Sequence, residues 1–200
     1  MTQHPMILVT AFEPYDGSSL NPSELVLKKL PGEINGVNLR KVILACDSLC
    51  TPLYVTELAS DLLINMVVIL GEDRRYALPT MERIAYNWLQ YDVPDNLGHQ
   101  PINSSIVAHG PEFLETSIDV TAIRLALASK GTRVNVSEDP GRHLCNHVYF
   151  KVRYHTYPKP VLLLHLPRLP EQQAYPSMRL ADSGYATFSI LSILSSLIYE

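Results

Sequence analysis

What this chain lacks narrows it first. It has no Lys/Arg run of five or more, and its 16 basic residues are outnumbered by 20 acidic ones, for a formal charge of −4. Phosphate backbones are held by clustered positive charge, so nucleic acid is set aside as a partner. Cysteine is scarce and odd in number, with Cys46, Cys50 and Cys145 lacking the spacing of a disulfide scaffold. That usage fits a reducing compartment, and the expected location is cytoplasmic. Long apolar runs are missing as well. The stretch from Tyr185 to Tyr199 carries no charge but has only 15 residues, four of them serine, and reads as a buried helix rather than a membrane span. The N-terminal Met-Thr-Gln-His-Pro has no positive charge, and the apolar segment after it is too short for a signal-peptide core, so no export is expected. Internal repeats and low-complexity tracts are also absent.

What is present is enough apolar material, 46% of 200 residues, for one compact domain over residues 1–200. Met6 to Ala11 is a continuous apolar run, as expected of a central strand covered on both faces. Asn21-Pro22-Ser23-Glu24 supplies an N-cap, a proline at the first helical position and an acid in the first turn, opening a helix towards Leu30. Leu39 to Ala45 reads as a second strand, Thr51-Pro52 opens a helix to about Ile64, and Met66 to Leu70 is a third strand ending at Gly71. Tyr86 to Gly110, with turn signals at Pro94-Asp95-Asn96 and Gly98, reads as a surface excursion with room for a hairpin. A helix from Asp119 to Lys130 stops at Gly131, Arg133 to Ser137 resembles a strand, a helix starts at the third cysteine, and Val161 to Leu166 is an apolar strand before the last helix. This alternation predicts a three-layer α/β/α sandwich around a largely parallel, mixed and twisted sheet.

In such a sheet, reactive groups gather at the carboxyl ends of strands. Cys145 follows a Pro140-Gly141 turn at the start of an apolar-periodic run. A helix start leaves backbone N–H groups unpaired, and their dipole favours thiolate over thiol; read alone, an isolated cysteine is more often a buried structural one. His165 lies near the end of its strand, where it is either a hydrogen-bonded core residue or a catalytic imidazole. Glu82 alone reads as half of a surface ion pair with Arg83 or Arg75. His143-x-Cys145-x-His147 with His165 offers imidazole and thiolate suited to zinc. A helix, however, would turn Cys145 away from the two flanking histidines.

Five blocks in order resemble the pyroglutamyl peptidase I family. They are Phe12-Glu-Pro-Tyr15-Asp-Gly with Asn21-Pro22-Ser23; Glu82-Arg83-Ile84-Ala85 with Asn87, Pro94-Asp95-Asn96, Gly98 and Gln100-Pro101-Ile102; Gly110-Pro111; Gly141 with Leu144-Cys145-Asn146-His147; and His165-Leu-Pro-Arg-Leu-Pro170-Glu171-Gln172. The resemblance implies a cytoplasmic thiol peptidase that takes a small peptide, needs no cofactor or metal, and forms a homo-oligomer, dimer or tetramer. It implies a triad of Glu82, Cys145 and His165. The family's substrates begin with pyroglutamate, a neutral lactam, and Phe12 and Tyr15 stand where family aromatics flank that ring. Asn21 matches an asparagine that steadies the loop.

Several positions depart from the family pattern. Its GxAGGR loop is Gly71-Glu72-Asp73-Arg74-Arg75-Tyr76 here, so Glu72 replaces a glutamine near the lactam. His143 replaces a phenylalanine that walls the ring, and Asp92 stands in place of an arginine. The reaction class is therefore read as retained and the recognition shell as altered. Slow or absent cleavage of a simple pyroglutamyl amide is expected. A catalytically silent relative that binds a peptide end or a partner is the alternative.

Overall fold

The structure, a computed structural model, describes residues 4–199. In chain order the elements are β1 (Met6–Phe12), α1 (Pro22–Lys29), β2 (Glu33–Ile34), β3 (Val37–Leu44), α2 (Thr51–Ser60), β4 (Ile64–Glu72), β5 (Thr80–Glu82), β6 (Ile84–Tyr86), β7 (Phe113–Glu115), α3 (Val120–Ala128), β8 (Asn135–Ser137), α4 (Leu144–His155), β9 (Val161–Leu166) and α5 (Leu180–Leu197). Seven strands form one sheet in the order β2-β3-β1-β4-β9-β5-β8, and β6 pairs with β7 apart from it. Neighbours are parallel except at β2–β3 and β5–β9, which makes the sheet mixed and largely parallel.

Side chains of a strand alternate between faces, and the two faces here belong to two apolar clusters. Ile7, Val9 and Ala11 of β1 join Met66, Val68 and Leu70 of β4 and Leu162, Leu164 and Leu166 of β9 under residues of α1, α3 and α5. Leu8 and Phe12, Val67 and Ile69, and Val161 and Leu163 point the other way, under α2 and α4. Helices on both faces give the expected three layers. Full burial of each Leu, Ile or Val stabilises the fold by about 1.5–3 kcal/mol. Among the described residues, no helix is long and apolar enough to cross a membrane.

Three expectations need correcting. The helix opened by Thr51-Pro52 ends at Ser60, short of Ile64, because the Asp61 carboxylate accepts from Leu63 N–H at 2.9 Å and diverts the chain into a turn. The strand after α1 is preceded by an unforeseen partner, β2, joined to it by Asn35-Gly36 with φ of 51° and 80°. Asn-Gly with two positive φ values is the two-residue hairpin turn whose twist matches the flanking strands. The segment from Tyr86 to Gly110 is more than a surface excursion. Asn87 holds Val107 by two hydrogen bonds of 2.8 and 2.9 Å, Leu89 N–H bonds Ser104, and Leu89 and Tyr91 are buried. The lobe is stitched down and forms one wall of the cleft described next.

Candidate active site

The strand faces decide which side chains meet. His165 lies two residues beyond Leu163 and Gly71 two beyond Ile69, so both face α4, and they are paired in register across β4 and β9. Met81 of β5 points into the opposite cluster, which leaves Glu82 on the α4 side as well. β5 runs antiparallel to β9, pairing Thr80 with His165 and Glu82 with Leu163, and this carries the carboxylate to the imidazole. Glu82 Oε1 and His165 Nδ1 are 2.8 Å apart, and both side chains are essentially out of solvent. The expectation of a surface ion pair for Glu82 is thus overturned. Arg83 pairs with Glu138, and Arg75 with Asp73 and Asp139.

Cys145 is the second residue of α4, whose N-cap, His143, offers no side-chain acceptor. The first ladder bond is His147 N–H to the His143 carbonyl, so the N–H groups of Leu144, Cys145 and Asn146 lie outside the helix ladder. The turn before it is fixed by Gly141 at φ +74° and by Arg142, which bonds Asp139 at 2.9 Å and stacks 3.7 Å over Tyr86. Gly71 shows how closely the cysteine approaches the imidazole. A Cβ built there would lie 2.7 Å from Cys145 Sγ, 3.0 Å from His165 Cδ2 and 3.3 Å from His165 Nε2. Only a residue without a side chain leaves that space free. Burial opposes charge on His165, yet its contacts with Cys145 and Glu82 outweigh burial, and the imidazole pKa rises above its ordinary value. The arrangement therefore favours the imidazolium form of His165 beside the sulfur.

The cleft above this cluster has a volume of about 250 Å³ and is lined by Phe12, Tyr15, Asn21, Glu72 and His143 together with Cys145 and His165. Every residue expected at the site thus borders it or, for Glu82, lies just beneath. Asn21 both caps α1, accepting from Ser23 N–H at 2.9 Å, and donates to the Glu13 carbonyl at 3.0 Å, which ties down the loop carrying Tyr15. Glu72 is buried and not free: Arg168 Nε lies 2.9 Å from one oxygen and Gln172 Nε2 3.0 Å from the other. The His143 ring lies tilted against Tyr91 and Tyr15, with ring centres 4.1 and 5.8 Å apart, and its Nε2 is 3.0 Å from the Val93 carbonyl. Burial lowers its pKa, so it serves as a neutral aromatic wall. Asp92 sits exposed at the rim.

The zinc reading loses its geometry, since His143 turns to Val93 and His147 Nδ1 to the Tyr91 hydroxyl at 3.3 Å. Among the described residues, Asp47, Asp95 and His99 form the one acid–histidine group with ligand spacing. Asp95 there already accepts backbone N–H groups of Ser48, Leu97 and His99. Four residues escaped the sequence reading as site components. Gly71 passed as a strand end, Tyr76 as part of a divergent loop and Arg168 as an unassigned member of the histidine block, while Tyr91 gave no local signal.

Comparison with known proteins agrees with this geometry. A family model for pyroglutamyl peptidase matches residues 5–192. The chain is 30% identical over 183 residues to a pyrrolidone-carboxylate peptidase of Vibrio vulnificus, covering 87% of this chain and 85% of that one. It is 35% identical over 181 residues to pyrrolidone-carboxylate peptidase 2 of Photorhabdus laumondii, covering 87% and 82%. The crystal structure of pyrrolidone carboxyl peptidase from Thermus thermophilus superposes with a TM-score of 0.88 at 31% identity, over 94% of this chain and 99% of that one. Fold, cleft and sequence thus converge, and the chain belongs to the pyroglutamyl peptidase family of cysteine peptidases.

Proposed function

We propose that this chain removes an N-terminal pyroglutamyl residue from peptides, with Cys145 as nucleophile, His165 as acid and base, and Glu82 as the carboxylate that orients it. One observation carries the reading: Cys145 Sγ and His165 Nε2 converge over Gly71 while Nδ1 of the same ring is held 2.8 Å from Glu82. The thiolate attacks the scissile carbonyl carbon, forming a C–S bond and moving the π pair onto oxygen. Free N–H groups at the start of α4, that of Cys145 included, stabilise this oxyanion by about 3 kcal/mol per donor. Collapse breaks the C–N bond as His165 Nε2 gives its proton to the leaving amine. Water then attacks the thioester and gives a proton back to His165. Pyroglutamate leaves and the thiolate–imidazolium pair is restored. Glu82 fixes the tautomer and supports the cation throughout.

The structure tempers the concern raised by the altered residues. Glu72 is compensated by Arg168 and Gln172, and His143 is uncharged and packed against Tyr91, so the inner cleft can hold a neutral lactam between Tyr15, Phe12 and His143. Free cysteines, one of them exposed, suit a cytoplasmic setting. The test compares fluorogenic pyroglutamyl, prolyl and glutamyl amides with wild type and Cys145→Ser. Release from the pyroglutamyl amide alone, lost in Cys145→Ser, is expected. Preferential prolyl or glutamyl release, or no release from any amide, rejects the proposal.

A further inference from the structure

We infer that Tyr76 is a positioning residue for the Glu82–His165 pair: its hydroxyl donates to the same Glu82 oxygen that accepts from the imidazole, and so helps hold the ring that faces Cys145. The inference rests on the triad proposed above. Glu82 is fully buried, yet its Oε2 has no hydrogen-bond partner among the described residues. Its charge is therefore carried by donors on Oε1, namely His165 Nδ1 at 2.8 Å and Tyr76 Oη at 3.0 Å. Deleting either leaves a buried carboxylate with a single donor, an unmet hydrogen-bonding demand that is costly away from water.

Tyr76 has one proton and three acceptors within reach: Glu82 Oε1, Ser137 Oγ at 2.9 Å and the Asp139 carbonyl at 3.2 Å. Ser137 Oγ already accepts from Asp139 N–H at 2.9 Å, so its own hydrogen is free to point at the Tyr76 oxygen. A charged carboxylate is also a stronger acceptor than a neutral carbonyl. The hydrogen-bond chain thus runs from Ser137 to Tyr76 and from Tyr76 to Glu82. Burial and the adjacent Glu82 charge raise the phenol pKa well above its usual value, so Tyr76 remains a donor. Arg75 seats the loop by bonding Asp73 at 2.7 Å and Asp139 at 3.0 Å, with its guanidinium 5.3 Å from the Tyr76 ring centre.

The titratable and charged groups around Glu82 come from four directions. His165 stands on β9, and Tyr149 of α4 donates to the Glu82 backbone carbonyl at 3.1 Å. Tyr76 and Arg75 lie on the loop before β5, and Asp73 and Cys145 act on the pair through His165. Among the described residues only Tyr76 and His165 donate to the carboxylate itself, so removal of the tyrosine hydroxyl leaves the imidazole as its single donor. A carboxylate held from one side only fixes the ring less firmly, and the reactivity of Cys145 reports the change.

The test is the pH dependence of Cys145 alkylation by iodoacetamide, read by peptide mass spectrometry. It needs no substrate, so it stands even where every amide fails to be cleaved. In Tyr76→Phe, which keeps the ring and its packing, the acid limb of the rate profile should move up by about one pH unit. In Ser137→Ala, where Tyr76 still donates, it should move by no more than a few tenths. Placing 3-fluorotyrosine at position 76, a stronger donor of nearly the same shape, should move the limb down. An acid limb in Tyr76→Phe that superimposes on wild type overturns the assignment, as does an equal shift in Ser137→Ala.

Discussion

Gly71→Ala is the sharpest test of how the site is packed. The added methyl group would lie 2.7 Å from Cys145 Sγ and 3.0 and 3.3 Å from two atoms of the His165 ring. Non-bonded heavy atoms settle at about 3.5–4.0 Å, so the sulfur must retreat by about 1 Å or rotate away from the imidazole. Displacement of that size at a reacting atom costs about 100-fold in rate. The cost in stability is smaller, because Cys145 is a short side chain bordering an open cleft. Overpacking of this kind destabilises by about 1–3 kcal/mol, and each kcal/mol lowers Tm by about 2–4 °C in a chain of this size. The variant should therefore fold, melt up to about 12 °C below wild type, and lose about two orders of magnitude in kcat/KM on a pyroglutamyl amide. A Gly71→Ala enzyme with wild-type kcat/KM would refute the reasoning, since the sulfur and ring could not then lie where described.

Three further outcomes follow from the same contacts. Glu82→Gln removes the charge beneath His165 while keeping its volume; kcat/KM should fall by about 10²–10⁴, and the alkaline limb of activity should shift to lower pH as the imidazole loses its support. The raised pKa of His165 also has a stability signature, read by Tm against pH. Its contribution is complete below the unfolded value of about 6.5 and is lost as pH rises through the higher folded value, a decline that Glu82→Gln should flatten. Asn21→Ala deletes the α1 cap and the tie to Glu13; denaturant unfolding should show a loss of about 1–2 kcal/mol, with KM raised more than kcat is lowered.

The elements legible in the sequence were those whose signals are local. The apolar run at Val161–Leu166 and the Asn21-Pro22 helix start need no distant partner to be recognised, and both appear where expected. The Asn35-Gly36 turn was equally local and could have revealed β2. Glu82 was not legible in that way. It lies in a three-residue strand beside Arg83, and its burial arises only when β5 docks antiparallel on β9, a pairing of residues 83 apart in sequence. Likewise nothing near Glu72 announces that Arg168, 96 residues later, will neutralise it. The three candidate catalytic residues were proposed from a motif. Their surroundings depend on contacts that sequence separation conceals.

Rapid acid quench of wild type mixed with a pyroglutamyl ester, followed by peptide mapping, tests the central claim most directly. A pyroglutamyl thioester is expected on Cys145 alone, formed no slower than product is released and absent from Cys46 and Cys50. Product release without any acyl group on Cys145, or acylation of another residue at the rate of turnover, would contradict it.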